Sequence, residues 1–121
     1  MYTNNNTDGG QAFQCANNSN FQMDVNGFRI SIAFGPGTYV NDRNLRHGMR
    51  YDEPMKNHIW TTDSAEVMIV DREGNPIKWG FNDVVGFCSS DTVARFIGCL
   101  VSCPQGEDPT KALNQISNAQ D

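Results

Sequence analysis

Apolar and polar residues alternate strictly along Phe28-Arg29-Ile30-Ser31-Ile32-Ala33-Phe34, and a period of two marks a strand with one buried face. Phe28, Ile30, Ile32 and Phe34 fall on one side, with Arg29, Ser31 and Ala33 on the other. Upstream, Phe21, Met23 and Val25 alternate with Gln22 and Asp24 before Asn26-Gly27. An Asn-Gly pair between two such runs favours a type I′ hairpin, because both central residues of that turn need positive φ. Strands over 20–25 and 28–34 are therefore expected to pair antiparallel. Ser64 to Asp71 is a nearly continuous apolar strand. Beyond a turn through Glu73-Gly74-Asn75, the alternation of Ile77, Trp79 and Phe81 predicts a second hairpin, and Val84 to Cys88 adds a short extended piece.

The period then changes. Ser89-Ser90-Asp91 supplies N-cap chemistry. Val93, Phe96, Ile97, Leu100 and Val101 follow on one helical stripe, so a helix over about 90–102 is expected to pack on the sheet. Pro104 and Gly106 stop it, and Asp108-Pro109 offers a cap followed by proline at the first position of a second short helix, whose thin apolar edge is Leu113 and Ile116. The predicted fold is α+β: an antiparallel β-meander of four to five strands with one or two short C-terminal helices packed on the sheet. Residues 1–121 read as one domain, with a polar, loosely ordered segment at 1–19, a sheet region at 20–88 containing a long loop at 41–62, and a helical region at 89–121.

Charge refines this picture. The formal net charge is -5 over 121 residues, yet residues 28–58 carry five basic residues against three acidic ones, while the remainder carries four against eleven. Binding duplex nucleic acid rests on neutralising many phosphates and asks for a broad basic face, which this distribution does not offer. A small anionic ligand needs only a few well-placed guanidinium groups. No apolar run is long enough to span a membrane. The start Met1-Tyr2-Thr3-Asn4-Asn5-Asn6 lacks a basic n-region and an apolar stretch, so a cytoplasmic location is expected.

The chemistry-bearing residues are sparse. Cys15, Cys88, Cys99 and Cys103 form no C-x-x-C pair, so free thiols are expected rather than a zinc site or a disulfide framework. No nucleophile elbow, Walker loop, H-E-x-x-H or G-x-G-x-x-G is present. Glu66 and Asp71, five apart, point to opposite faces of a strand and make a poor acid/base pair. A binding protein without cofactor is therefore favoured over an enzyme. Gly35-Pro36-Gly37 reads either as a phosphate nest or as a tight strand exit. Tyr39 beside it offers a stacking face, and Arg43, Arg46 and Arg50 recur at three- and four-residue spacing, which on a helical turn lines up guanidinium forks suited to phosphate. The alternative is a solvated loop in which they pair with Asp42, Asp52 and Glu53. Phe81 and Asn82 stand where a strand end presents a ring for a purine and an amide for its edge, although Trp79 and Phe81 at alternate positions also suit a core. Arg95 borders the apolar stripe of the first helix and projects to a pocket, to an oligomer interface, or simply to solvent.

Five motifs in order carry a resemblance: Asn26-Gly27, Gly35-Pro36-Gly37-Thr38-Tyr39, Ala65-Glu66-Val67, Asp83-Val84-Val85-Gly86-Phe87-Cys88-Ser89 and Val93-Ala94-Arg95-Phe96-Ile97. Over about residues 20–102 the chain resembles the phage-encoded Thoeris anti-defence sponges, which capture cyclic ADP-ribose signals made by bacterial TIR-domain enzymes. The resemblance implies an antiparallel sheet with C-terminal helices, a homo-oligomer in the host-cell cytoplasm, and pockets at subunit junctions where arginines grip a pyrophosphate and aromatics hold a base. Arg95, and after it Phe81 and Asn82, are the positions to which it assigns those roles. The segment 41–62 and the tail after Ser102 have no counterpart in it. The expected function is thus sequestration of a cyclic nucleotide without chemistry upon it. The rivals are an acidic, anti-CRISPR-like inhibitor of a host defence nuclease and a small hydrolase built on Cys88 or a carboxylate pair.

Overall fold

Backbone geometry at Asn26-Gly27 sets the register of the sheet. A computed structural model of the chain describes residues 11–16, 20–34 and 61–120. Asn26 has φ 52° and Gly27 φ 86°, the paired left-handed conformation that a type I′ turn requires. On either side run β2 (Asn20–Val25) and β3 (Phe28–Ala33), with Val25 opposite Phe28 and Met23 opposite Ile30. With β1 (Phe13–Ala16), β4 (Ala65–Val70) and β5 (Val85–Cys88) they form a five-stranded sheet in the order β1-β2-β3-β4-β5, antiparallel throughout. Two helices follow, α1 (Ser90–Val101) and α2 (Thr110–Asn118). The fold is the α+β meander that the periodicity predicts.

Alternation sorts the side chains onto two faces. Val25, Phe28, Ile30, Val67 and Ile69 share one buried cluster with Phe96 and Leu100 of α1 and Leu113 of α2. Removing such side chains from water is the main force holding helices to sheet, at roughly 2 kcal/mol for each fully buried large apolar group. The opposite face is polar but knitted together: Asn20 donates to Ser31 Oγ, Gln22 donates to Asn20, and Arg29 donates to Gln22, Gln14, Asp24 and the Gln11 carbonyl.

Three expectations are corrected. The segment 1–19 was expected to be loosely ordered, but Phe13–Ala16 is a strand paired with β2. The alternation Phe13-Gln14-Cys15 puts the Phe13 ring against Phe21, with centroids 6.1 Å apart. The expected strand through Ile77, Trp79 and Phe81 reduces to isolated bridges, Val70 with Pro76 and Trp79 with Asn82. Pro76 has no N–H to give a ladder, and Gly80, at φ 67°, reverses the chain in a two-residue turn where Trp79 and Asn82 exchange backbone hydrogen bonds. Trp79 remains in the core, whereas Phe81 stands at the tip of that turn. Finally, α2 begins at Thr110 with Pro109 in the cap position; Asp108 Oδ1 accepts from the Thr110 N–H and hydroxyl, which also holds the Asp108 carboxyl below its ordinary range.

Helix α1 is closed at both ends by side chains. Ser89 Oγ accepts from the Thr92 N–H at its start. At its end no basic residue lies in the last turn, and the free carbonyls are taken from outside the helix. Asn26 Nδ2 donates to the carbonyls of Leu100, Val101 and Cys103, and the Arg72 guanidinium donates to those of Cys103, Pro104 and Asn26. Arg72 also lies 4.4 Å from the centre of the Phe28 ring. Arg72→Ala should lower unfolding stability by about 2 kcal/mol in urea titration, since its charge-assisted bonds to the Asn26, Cys103 and Pro104 carbonyls are lost together. Arg72→Lys should recover less than half of it, because an ammonium cannot reach three carbonyls in a planar fork.

Candidate functional site

Phe81 and Asn82 leave the core because the Gly80 turn carries them out. Phe81 is fully exposed at 101%, an unusual placement for a phenylalanine that packs against nothing. Asn82 lines a cleft of about 420 Å³ whose wall includes Trp79 and Gly86 on one side and Asn114, Ser117 and Asn118 of α2 on the other. Across Gly80, Asn114 and Asn118 the cleft continues into an open depression of about 650 Å³ that reaches Lys78 and Lys111. Asn114 is pinned between the two elements, its amide donating to the carbonyls of Lys78 and Thr110. Lys78 pairs with Asp83 outside the cleft.

Trp79 is 7% exposed, packs on Phe96 with ring centroids 5.1 Å apart, and its indole N–H is buried without a hydrogen-bond partner. A buried donor left unpaired costs about 1–3 kcal/mol. Native structures hold few such groups, and each asks for a reason.

A second cavity, of about 220 Å³, lies where β3 ends and β4 begins; Ile32, Phe34, Ser64, Cys88 and Val93 are among its lining residues. Phe34 immediately precedes Gly35 in the sequence. Gly35, Gly37, Tyr39, Arg43, Arg46 and Arg50 themselves lie outside the described residues, as does all of the expected loop 41–62 except 61–62. Arg95 is exposed on α1 and lines neither cavity. No residue is common to the two cavities. Among the described residues, then, Asn82 lines the cleft, Phe81 stands exposed at the turn beside it in sequence, and Arg95 lines neither cavity.

Other candidate chemistry is engaged in structure. Asp71 Oδ1 accepts from the Glu73 and Asn75 N–H groups in the turn after β4. Cys88 is fully buried; burial pushes its thiol up to about 11, against an opposing hydrogen bond with Gln120. The Cys99 thiol is raised by burial and then by neighbouring Cys103, whose own Sγ donates to the Glu107 carbonyl. No group of three or more His, Cys, Asp or Glu among the described residues is arranged to hold a metal ion. No helix among them is long and apolar enough to cross a membrane.

The α2 wall is the part that sequence reading missed. Its signal is the i, i+3, i+4 stripe Asn114, Ser117, Asn118, which lies beside the apolar edge of Leu113 and Ile116 and carries only neutral hydrogen-bonding groups. The chain was compared with protein-family models, curated proteins and solved structures, and none matches.

The thiols provide a test of this geometry. Cys15 is exposed and Cys88 buried, so at pH 8 iodoacetamide should label Cys15 in the native protein and reach Cys88 only after unfolding, as read by peptide mass spectrometry. Because the folded state holds the Cys88 proton more tightly than the ordinary value of 9.0, its contribution to stability is complete below pH 9. That contribution should fall as pH rises from 9 toward 11, and the loss should vanish in Cys88→Ala.

Proposed function

We propose that this protein binds and sequesters a small anionic cyclic nucleotide of the cyclic ADP-ribose type, leaving it uncleaved, in the manner of the phage-encoded sponges that its motifs resemble. The observation that carries the reading is the Trp79–Asn82 turn, in which a fully exposed phenylalanine directly precedes an asparagine that lines a polar cleft. An exposed aromatic face stacks on a base, and a carboxamide pairs with a purine edge. Further support is the way the resembling motifs fall on distinct elements: the β2–β3 turn, the start of β4, the β5 strand with its Ser89 cap, and the middle of α1.

Among the described residues, Arg95 lines neither the cleft at Asn82 nor the cavity at Phe34. In this reading a second copy supplies it, so the sponge works as a homo-oligomer in the cytoplasm with each ligand held at a junction. Guanidinium forks at such a junction would clamp the pyrophosphate, and a rigid interface limits the ordering cost of capture. Arg43, Arg46 and Arg50, with Tyr39 and the Gly35 and Gly37 amides, are proposed as additional phosphate contacts.

A second reading has one observation in its favour. Asp71, Glu73, Glu107 and Asp108 rim a cavity of about 320 Å³, an acidic surface of the kind that blocks a basic nucleic-acid channel by charge complementarity.

Incubation with a panel of cyclic ADP-ribose isomers and cyclic oligonucleotides should raise the melting temperature for one ligand class, and boiling should release that ligand intact. Recovery of a cleaved product would point to a hydrolase, and capture of a host protein with strong salt dependence to the acidic inhibitor. Arg95→Ala should weaken capture more than tenfold while leaving the melting temperature nearly unchanged. The combined variant Arg43→Ala, Arg46→Ala, Arg50→Ala should also weaken it; unchanged affinity would make that segment a solvated surface.

A further inference from the structure

We infer that the cleft between the Trp79–Gly86 segment and α2 is a purine-nucleotide subsite, with Trp79 and the α2 stripe Asn114, Ser117 and Asn118 as its inner wall. The inference rests on the sequestration reading for the identity of the physiological ligand, and it adds to Phe81 and Asn82, which the family resemblance assigns, an inner wall that it does not.

Several independent features converge there. The indole N–H of Trp79 is a buried donor with no partner, in a residue that lines the cleft. The Trp79 ring packs on Phe96, and the residue also borders the cleft. Asn114 donates its amide to the Lys78 and Thr110 carbonyls, which fixes the carboxamide and fastens α2 to the Lys78–Gly80 segment. A prefixed wall lowers the ordering cost of a ligand. Asn82 on the facing wall and Asn118 on α2 both line the cleft, and carboxamides offer the adjacent donor and acceptor that a purine edge presents in complement.

Charge completes the assignment. The cleft opens across Gly80 toward Lys111 and toward Lys78, whose ammonium also pairs with Asp83, so a base seated against the amides directs its phosphate toward the Lys111 ammonium. Phe81, fully exposed at the adjoining turn, is available to stack. A volume of about 420 Å³ is of the size that binds small ligands.

The test uses the full chain labelled with ¹⁵N-tryptophan, titrated separately with AMP and with cyclic ADP-ribose. The chain has two tryptophans, Trp60 and Trp79, and Trp79→Phe assigns the indole signals. Either probe should move the Trp79 indole cross-peak, and Asn118→Leu, at an exposed helix position, should weaken that probe at least tenfold without changing the melting temperature. If cyclic ADP-ribose binds the wild type, yet the indole signal stays still and Asn118→Leu binds equally well, the cleft is overturned while sequestration stands. If AMP alone binds with the indole shift, the cleft stands and the sequestration reading falls. Failure of both probes to bind overturns both. Should Trp79→Phe fail to fold, Trp60→Phe assigns the same signals and Asn118→Leu carries the test.

Discussion

One polar clamp joins the sheet to the helices, and the rest of the structure depends on it. Asn26 and Arg72 come from two different turns and meet at the carbonyl end of α1. The first occupies a left-handed position that only a few side chains tolerate. The turn conformation thus selects asparagine, and the same carboxamide then serves as the helix cap. A Cβ on Gly27 would be strained by its φ of 86° and would come within 3.2 Å of the Arg72 side chain, which would have to shift by a few tenths of an ångström. The apolar cluster supplies most of the driving force, and the clamp decides where along the sheet α1 is anchored.

Much of this architecture was legible because it is local. Asn26-Gly27 specifies a turn through backbone sterics alone, Ser89 a helix start through one oxygen, and strand alternation a buried face through geometry. Where the reading missed, a non-local partner had decided the outcome. Phe13–Ala16 is short and polar-flanked, and becomes a strand only because β2 offers a paired edge and Phe21 a ring. Trp79 and Phe81 share a period of two, but Gly80 between them adopts positive φ and sends one ring inward and the other outward. A glycine at that point in an apparent strand was the available warning.

The site was legible only in part, for the same reason. Phe81 and Asn82 were readable as a ring and an amide standing together, since they are neighbours in the chain. Their facing wall comes from α2, some thirty residues further on, and no local pattern announces that the two elements meet. The orphan indole is less visible still, because it is defined by what fails to approach it. Arg95 illustrates the converse: its helix and its exposure follow from the sequence, but a surface arginine acquires a role only from whatever lies opposite.

The bulge at the outer strand has a consequence for solubility. Phe87 takes φ 59°, a conformation costly for a bulky residue, and the pairing of β4 with β5 shifts between Ala65 and Val67. Among the described residues β5 is the last strand of the sheet. A straight edge there would offer a row of free amides to any passing chain. Bent at Phe87, it is a poorer template for a further strand than a straight edge, the kind of irregularity by which sheet borders are blunted without a proline or a lysine.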